Sequence, residues 1–268
     1  MANILLMSVT GSPGVTNTTL SMTMTWPNPA MLAEIDTSKT SCILPGYLRG
    51  EQPHTRSLIN LAVAARGSGT INSDQIWSQT VELAKDRWLL PGLVTPAAAP
   101  SLAGLWGSLG TAAGTFERSN IDVLFDAGRW SVSDQRSPLM TLADAVVILA
   151  HPTLPDITAL RDRLPAIQTL LAEHGHPDHL GLLLVSPSSG PSYSSGDISK
   201  NLGVPVLGKL PWDPKTAPVF HTGQPQPGRL DRSPYMKALA AAMDTLKQEV
   251  RERRERLSER SSSTKERV

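Results

Sequence analysis

The sequence predicts a three-layer α/β fold, a mostly parallel sheet with helices on both faces. Short apolar runs recur at 4–9, 31–35, 87–92, 121–127, 143–150, 180–185 and 204–210, and most are continuous rather than alternating. Strands covered on both faces read that way. Between several of them lie segments of helical spacing, so strand and helix alternate along the chain. The first run also ends in a Gly/Pro-punctuated loop, Gly11 to Thr19, and a segment able to be helical follows it.

Composition narrows the class. The chain has 268 residues, 40% of them hydrophobic, which allows one α/β domain or two small ones. A formal charge of +1 gives no global pull toward nucleic acid or anionic membrane. The single cysteine, Cys42, excludes an intramolecular disulfide framework and reads as a buried, inert thiol. No window approaches the roughly 20 apolar residues of a membrane span, and the N-terminus lacks the regions of a signal peptide. A soluble, cytoplasmic protein is expected. The expected layout is a domain over 1–230, a C-terminal helix over 231–260 and a disordered tail over 261–268.

Taken in order, the strand Ile4–Val9 leads through the loop into a helix at Thr18–Thr25, stopped by Trp26-Pro27-Asn28-Pro29. Met31–Ile35 is a strand running into Asp36. Residues 55–65 have helical spacing and end at Gly67-Ser68-Gly69. A short helix over 72–79 keeps Trp77 on its apolar side, and Arg87–Gly92 is a buried strand. Pro96–Pro100 is a loop, with a helix from Ser101 to about Arg118. The strand starting at Ile121 reaches Asp126, and Ala143–Ala150 is another. The helix Pro155–Glu173 places Leu160, Leu164, Ile167, Leu170 and Leu171 on one face. His174, His176 and His179 lie in a solvent-facing turn without the i,i+4 geometry of a helical metal pair, and read as a polar loop. A strand at 180–185, a loop at 186–195, a helix at 196–202, a strand at 204–210 and a linker at 224–232 follow. The helix Tyr235–Arg260 is apolar first and then densely charged.

The N-terminal loop has the layout of a phosphate cradle, in which amides at a helix N-terminus face the anion. Such a loop normally sets a lysine just before the hydroxyl residue; here Asn17 precedes Thr18. Residues Ser12-Pro13-Gly14-Val15-Thr16-Asn17-Thr18-Thr19 resemble the K-G-G-V-G-K-T-T loop of the MinD/ParA family of deviant Walker-A P-loop ATPases. Gly14 and Val15 match directly, and Thr18 falls on the Mg²⁺-binding hydroxyl. Both family lysines are absent: Ser12 takes the place of the signature lysine and Asn17 that of the phosphate lysine. The segment 121–129, with Asp126-Ala127-Gly128, is similar to a Walker-B strand running into switch II, and Val204–Pro214 to the family's strand before a Pro-aromatic-Asp loop.

That resemblance implies nucleotide contacts from Gly11, Gly14, Val15, Thr16, Asn17, Thr18, Thr19, Pro211 and Asp213, with Mg²⁺ on Thr18 and Asp126. Asp36 falls on the switch I acid that orients water, and equally reads as a strand-end cap. Arg129 either supplies a guanidinium to phosphate or pairs with a surface carboxylate. Ser186 and Pro187 replace the Asn-Arg pair that often touches adenine.

Charge accounting then predicts weak Mg-ATP binding at best and little or no hydrolysis. One preorganised contact to developing charge is worth about 3–4 kcal/mol, and two lysines are missing. Pro13 also removes a cradle N–H, and Thr16 adds a Cβ where the family has Gly. The expected function is a localisation or assembly adaptor, similar to the TadZ/CpaE-like branch. Its expected partners are other copies of itself, through apolar surface including Trp106 or Trp130, and a protein of a secretion, pilus or partition system. Two alternatives stand beside it: an active ParA-type ATPase partitioning DNA or cargo, and a scaffold that polymerises without nucleotide. Arg251, Arg253, Arg254, Arg256 and Arg260 alternate with Glu252, Glu255 and Glu259. They read as a solvated helix end or as an arm for nucleic acid or a partner, not as a membrane anchor.

Overall fold

The computed structural model describes residues 2–11, 13–131 and 133–265; the side chains of 117–118 and 257–265 are outside that description. The strands are β1 (Asn3–Ser8), β2 (Ala30–Glu34), β3 (Val81–Ala84), β4 (Arg87–Leu90), β5 (Asp122–Arg129), β6 (Ala145–Ala150), β7 (Leu180–Val185) and β8 (Val206–Leu210). They form one eight-stranded sheet in the order β3-β4-β2-β5-β1-β6-β7-β8. Neighbours pair in parallel except β3, which runs antiparallel to β4 at the edge.

Side-chain alternation sends successive residues to opposite faces. Leu5, Met7, Val123 and Phe125 enter one core. It is covered by α2 (Leu58–Ser68), α4 (Trp106–Thr115), α6 (Leu154–Glu173) and α7 (Ser195–Leu202), with the short α3 (Ser73–Ser78) and α5 (Ser137–Leu142). Ile4, Leu6, Leu32 and Leu124 enter the other, under α1 (Val15–Thr25), α8 (Ala217–His221) and α9 (Pro234–Lys265). The expected mostly parallel three-layer sheet is thus the observed one.

Several elements differ from expectation. The helix expected over 101–118 is broken: a 3-10 stretch covers Pro96–Leu102, and the α-helix begins only at Trp106. Gly110 lets α4 approach α5 closely: a Cβ there would stand 2.6 Å from Leu142 Cδ1 and push that side chain aside. Trp106 and Trp130 are 2% and 4% exposed, so neither offers apolar surface for self-association. Their rings fill the core instead. The histidine turn is less open than expected: His179 is buried, bonds Ala143 O through Nδ1 at 2.9 Å and stacks on His176.

The C-terminal helix is longer than expected, reaching Lys265. Leu239, Met243, Leu246 and Val250 pack on the sheet. The charged segment is docked in part: Arg254 pairs with Asp144 at 2.8 Å, while Arg256 pairs with Asp178 at 2.8 Å with both side chains about half exposed. Arg253 is buried and bonded to Glu249 at 3.3 Å. Among the described residues, no helix is long and apolar enough to cross a membrane.

Candidate phosphate-binding site

A cavity of about 510 Å³ opens at the carboxyl edge of the parallel strands, within the size range of ligand sites. Its wall combines Gly11, Gly14, Val15, Thr16 and Asn17 with Asp36, Ser38, Lys39 and Cys42, then Gly128 and Arg129, then Phe220 and His221. Crossover connections leave the parallel strands at this edge, so β1, β2 and β5 deliver their loops to one place.

The cradle itself is present. Gly14, at φ 82°, turns the chain into α1, and no side chain among the described residues caps that helix. The first helical hydrogen bond runs from Thr18 N to Gly14 O, 2.9 Å. The preceding amides are therefore left for a ligand, at the positive end of the helix dipole. The helix keeps its many hydroxyls dry by turning them onto its own carbonyls: Thr19 Oγ1 donates to Val15 O (2.9 Å) and Thr23 Oγ1 to Thr19 O (2.8 Å).

The acids are placed by sheet register. Glu34 of β2 lies opposite Asp126 of β5, so both side chains leave the same face. Glu34 is buried and acts as an anchor: Oε1 accepts the Cys42 and Ile43 amides at 3.1 and 3.3 Å, while Oε2 accepts the Ser41 hydroxyl and, at 3.2 Å, the Gly92 amide. Burial nevertheless raises its pKa. Asp36 accepts the Ser38 amide and hydroxyl at 2.9 and 2.6 Å through Oδ1, capping the turn after β2. Its Oδ2 lies 3.4 Å from Lys39 Nζ. Gly128, at φ 57°, is required beside it, because a Cβ there would overlap the Asp36 carboxylate.

Asp126 is fully buried and its Oδ1 accepts the Gly128 amide at 3.1 Å, while Oδ2 is a buried atom with no hydrogen-bond partner among the described residues. Burial pushes its pKa up to about 6, against the pull of Lys39 and the neighbouring Thr16 hydroxyl.

Two residues that the sequence reading missed organise this end of the sheet. Lys39 reaches in from the loop after β2 and donates to Thr16 Oγ1 at 2.6 Å. Burial pulls its pKa down, but the carboxylates, Asp126 first and then Asp36 and Glu34, help to outweigh that and hold it above the ordinary lysine value. The Cys42 thiol is pushed up to about 11, chiefly by burial, so it is un-ionised and inert. Arg136 is buried and bonds the carbonyls of Ile35 (2.9 Å), Ala127 (2.5 Å) and Arg129 (2.9 Å), and it pairs with Asp134 at 2.6 Å. Its guanidinium also lies 5.0 Å from the Trp130 ring centre. It ties the end of β2 to the end of β5. In the sequence, Lys39 had one signal: it is the first lysine of the chain and follows Asp36 by three positions.

The expected site residues divide accordingly. Gly11, Gly14, Val15, Thr16, Asn17, Asp36 and Arg129 share the cavity wall. Among the described residues Arg129 has no hydrogen bond or ion pair from its exposed guanidinium. Thr18 and Thr19 are buried behind it, and the Thr18 hydroxyl faces Tyr235 OH of α9 at 3.5 Å. Pro211 and Asp213 are not in the wall either; Asp213 closes the turn before α8, accepting the Thr216 amide at 3.0 Å and its hydroxyl at 2.7 Å. Ser12 lies outside the described residues.

The metal pair implied by the resemblance, Thr18 with Asp126, is therefore not assembled around the cavity. The hydroxyl facing the acids belongs to Thr16, and the Lys39 ammonium is bonded to it. A divalent ion does not fit this arrangement while the lysine holds its place.

Comparison with solved structures decides the fold. The chain superposes on the cell division ATPase MinD of Pyrococcus furiosus with a TM-score of 0.71 at 16% identity, covering 92% of this chain and 99% of that one. This is the MinD/ParA fold. A ParA family ATPase from Chlorobium tepidum gives a TM-score of 0.66 at 14% identity over 91% of this chain and 99% of that one. The septum site-determining protein MinD of Pyrococcus horikoshii, solved as a complex with Mg-ADP, gives 0.65 at 16% identity over 90% and 94%. No protein-family model matches the sequence, and no curated protein does. The likeness to the MinD/ParA ATPases is thus one of fold, carried at low identity.

Proposed function

We propose that this chain is a MinD/ParA-fold adaptor that positions or assembles a cellular machine, with nucleotide as a ligand it turns over slowly or not at all. One observation carries the reading: Gly14 still turns the chain into an α1 without a side-chain cap among the described residues, yet Asn17 stands where the phosphate lysine belongs, and its Oδ1 is a buried atom without a partner among the described residues. Ser12 likewise brings no charge to the signature position. Such a loop retains the shape that receives phosphate and lacks the cations that stabilise its transfer. The cell location that fits is the cytoplasm, and the partner is a protein of a secretion, pilus or partition system.

Assembly through copies of itself belongs to the same reading. With Trp106 and Trp130 inside the core, exposed large apolar residues that follow the sheet's carboxyl edge include Leu154, Tyr193 and Trp212. They follow the carboxyl ends of β6, β7 and β8. The test is sedimentation of the full chain with and without nucleotide, alongside steady-state phosphate release. An oligomer together with negligible release supports the adaptor; rapid, sustained release overturns it.

A second reading, an active ParA-type ATPase that partitions DNA or cargo, is favoured by the unpaired Arg129 guanidinium on the cavity wall. Its nucleic-acid arm is less well supported, because Arg253, Arg254 and Arg256 already bond Glu249, Asp144 and Asp178. Salt-sensitive, ATP-dependent retention of duplex DNA in a gel shift supports it. Retention indifferent to ATP removes it.

A further inference from the structure

We infer that the Lys39 ammonium is the built-in cation of this cradle, so that the phosphates of a nucleotide are held on a lysine of the chain, whereas the Pyrococcus horikoshii MinD was solved with Mg-ADP. The inference rests on the cavity being a phosphate site, as proposed above, and adds how that site is charged.

The place Lys39 occupies is a cation site by its donors. Its Nζ is 2.6 Å from Thr16 Oγ1 and 3.4 Å from Asp36 Oδ2. Asp126, completely buried, has Oδ2 unpartnered among the described residues, and its charge is the strongest of those favouring the charged form of Lys39. A hydroxyl and a carboxylate in contact, with the buried charge of Asp126 behind them, make an oxygen-lined place that suits a hard cation. Thr18, the hydroxyl expected for that role, is turned to Tyr235 instead.

The lysine is held there by its loop. Asp36 fixes the loop on one side through Ser38, and Glu34 fixes it on the other through the amides of Cys42 and Ile43. Between these anchors the Lys39 side chain stays 37% exposed, facing the cavity. An ammonium has three N–H donors. Thr16 and Asp36 engage two of its directions, and the third is available to a phosphate oxygen. The uncapped amides of α1 approach the same ligand from the other side. A second cation brought within about 4 Å of the ammonium would be repelled, so a metal enters only by displacing it.

The test is titration calorimetry on the full chain with ADP, ATP and inorganic pyrophosphate, each in magnesium and in EDTA. Wild-type protein is expected to bind about equally in both, within about threefold. Lys39→Met, which keeps the length and removes the charge, should lose about 10- to 100-fold in EDTA and recover part of it in magnesium, because the acids are then vacant. Lys39→Arg should retain metal-independent binding, and circular dichroism melts check that each variant is folded. Pyrophosphate binding as tight as that of ATP assigns the ligand to free polyphosphate; weaker binding assigns it to nucleotide. Either result supports the lysine's role provided it depends on Lys39. Wild-type binding that requires magnesium overturns the inference, as does Lys39→Met binding unchanged in EDTA, or no binding of any of the three ligands. Rapid phosphate release would instead overturn the adaptor reading and leave Lys39 as the cation.

Discussion

The Tyr235 hydroxyl of α9 and the Ser21 hydroxyl of α1 lie 3.0 Å apart, both buried. Through this contact the C-terminal helix is fastened to the helix that opens at the phosphate cradle. Ser21 also donates to Thr18 O at 3.0 Å, so it keeps one partner if the tyrosine oxygen is removed. Tyr235→Phe should therefore cost about 1 kcal/mol, a drop in Tm of about 2–4 °C. A thermal melt followed by circular dichroism measures it, and an unchanged Tm would show that the contact adds nothing.

Arg136 should be far more sensitive. Replacing it with Met leaves the carbonyls of Ile35, Ala127 and Arg129 without their guanidinium donor and strips Asp134 of its ion partner. Breaking a buried, multiply bonded charge costs about 3–5 kcal/mol. Arg136→Lys should rescue little, since an ammonium cannot reproduce the planar fork. Urea denaturation of both variants decides it.

Asp126→Asn should do the opposite in the absence of ligand. The wild-type carboxyl is fully buried with one oxygen unpartnered among the described residues, and its pKa of about 6 means that folding disfavours its charge. Each pKa unit is about 1.4 kcal/mol, so the neutral amide should stabilise the unliganded chain by about 1–3 kcal/mol at pH 7.5. Guanidinium unfolding at that pH is the measurement; destabilisation would contradict the electrostatics described for the site.

Stability should also fall on mild acidification through His179. Burial lowers its pKa from the ordinary 6.5, and the approach of His176 lowers it further, against the bond to Ala143 O and the charge of Asp178. A histidine with a depressed folded pKa contributes stability above its unfolded value and loses it as pH falls. Asp126, whose folded pKa is raised to about 6, works the other way and gains stability as it takes up a proton. The histidine's share is therefore read as a difference: His179→Gln should lose less stability, or gain more, than the wild type on going from pH 7.5 to 5. Denaturation curves from pH 7.5 to 5 give the comparison.

The fold was legible in the sequence because the central strands β1, β2, β5, β6 and β7 are continuous apolar runs. The edge strand β3 was not: Val81-Glu82-Leu83-Ala84 is short, half-exposed and antiparallel, with no apolar run to mark it. The loop Gly11–Thr19 was recognisable from its glycines and hydroxyls, and most of its residues do line the cavity. Lys39 and Arg136 were not, for a physical reason. Lys39 acts at Thr16, which is 23 positions away, and Arg136 at Ile35, 101 positions away. Such contacts come from sheet register and loop anchoring, and local periodicity carries no trace of them. The buried Trp106 and Trp130 teach the same point in reverse, since a tryptophan beside a loop reads as surface until the helix covering it is placed.

Steady-state phosphate release from Mg-ATP by the full chain, measured beside Asn17→Lys, tests the adaptor reading most directly. The account predicts release by the wild type at the level of the protein-free control, with any gain confined to the variant that restores the lysine. Sustained wild-type turnover above that control, whatever the variant does, would contradict it.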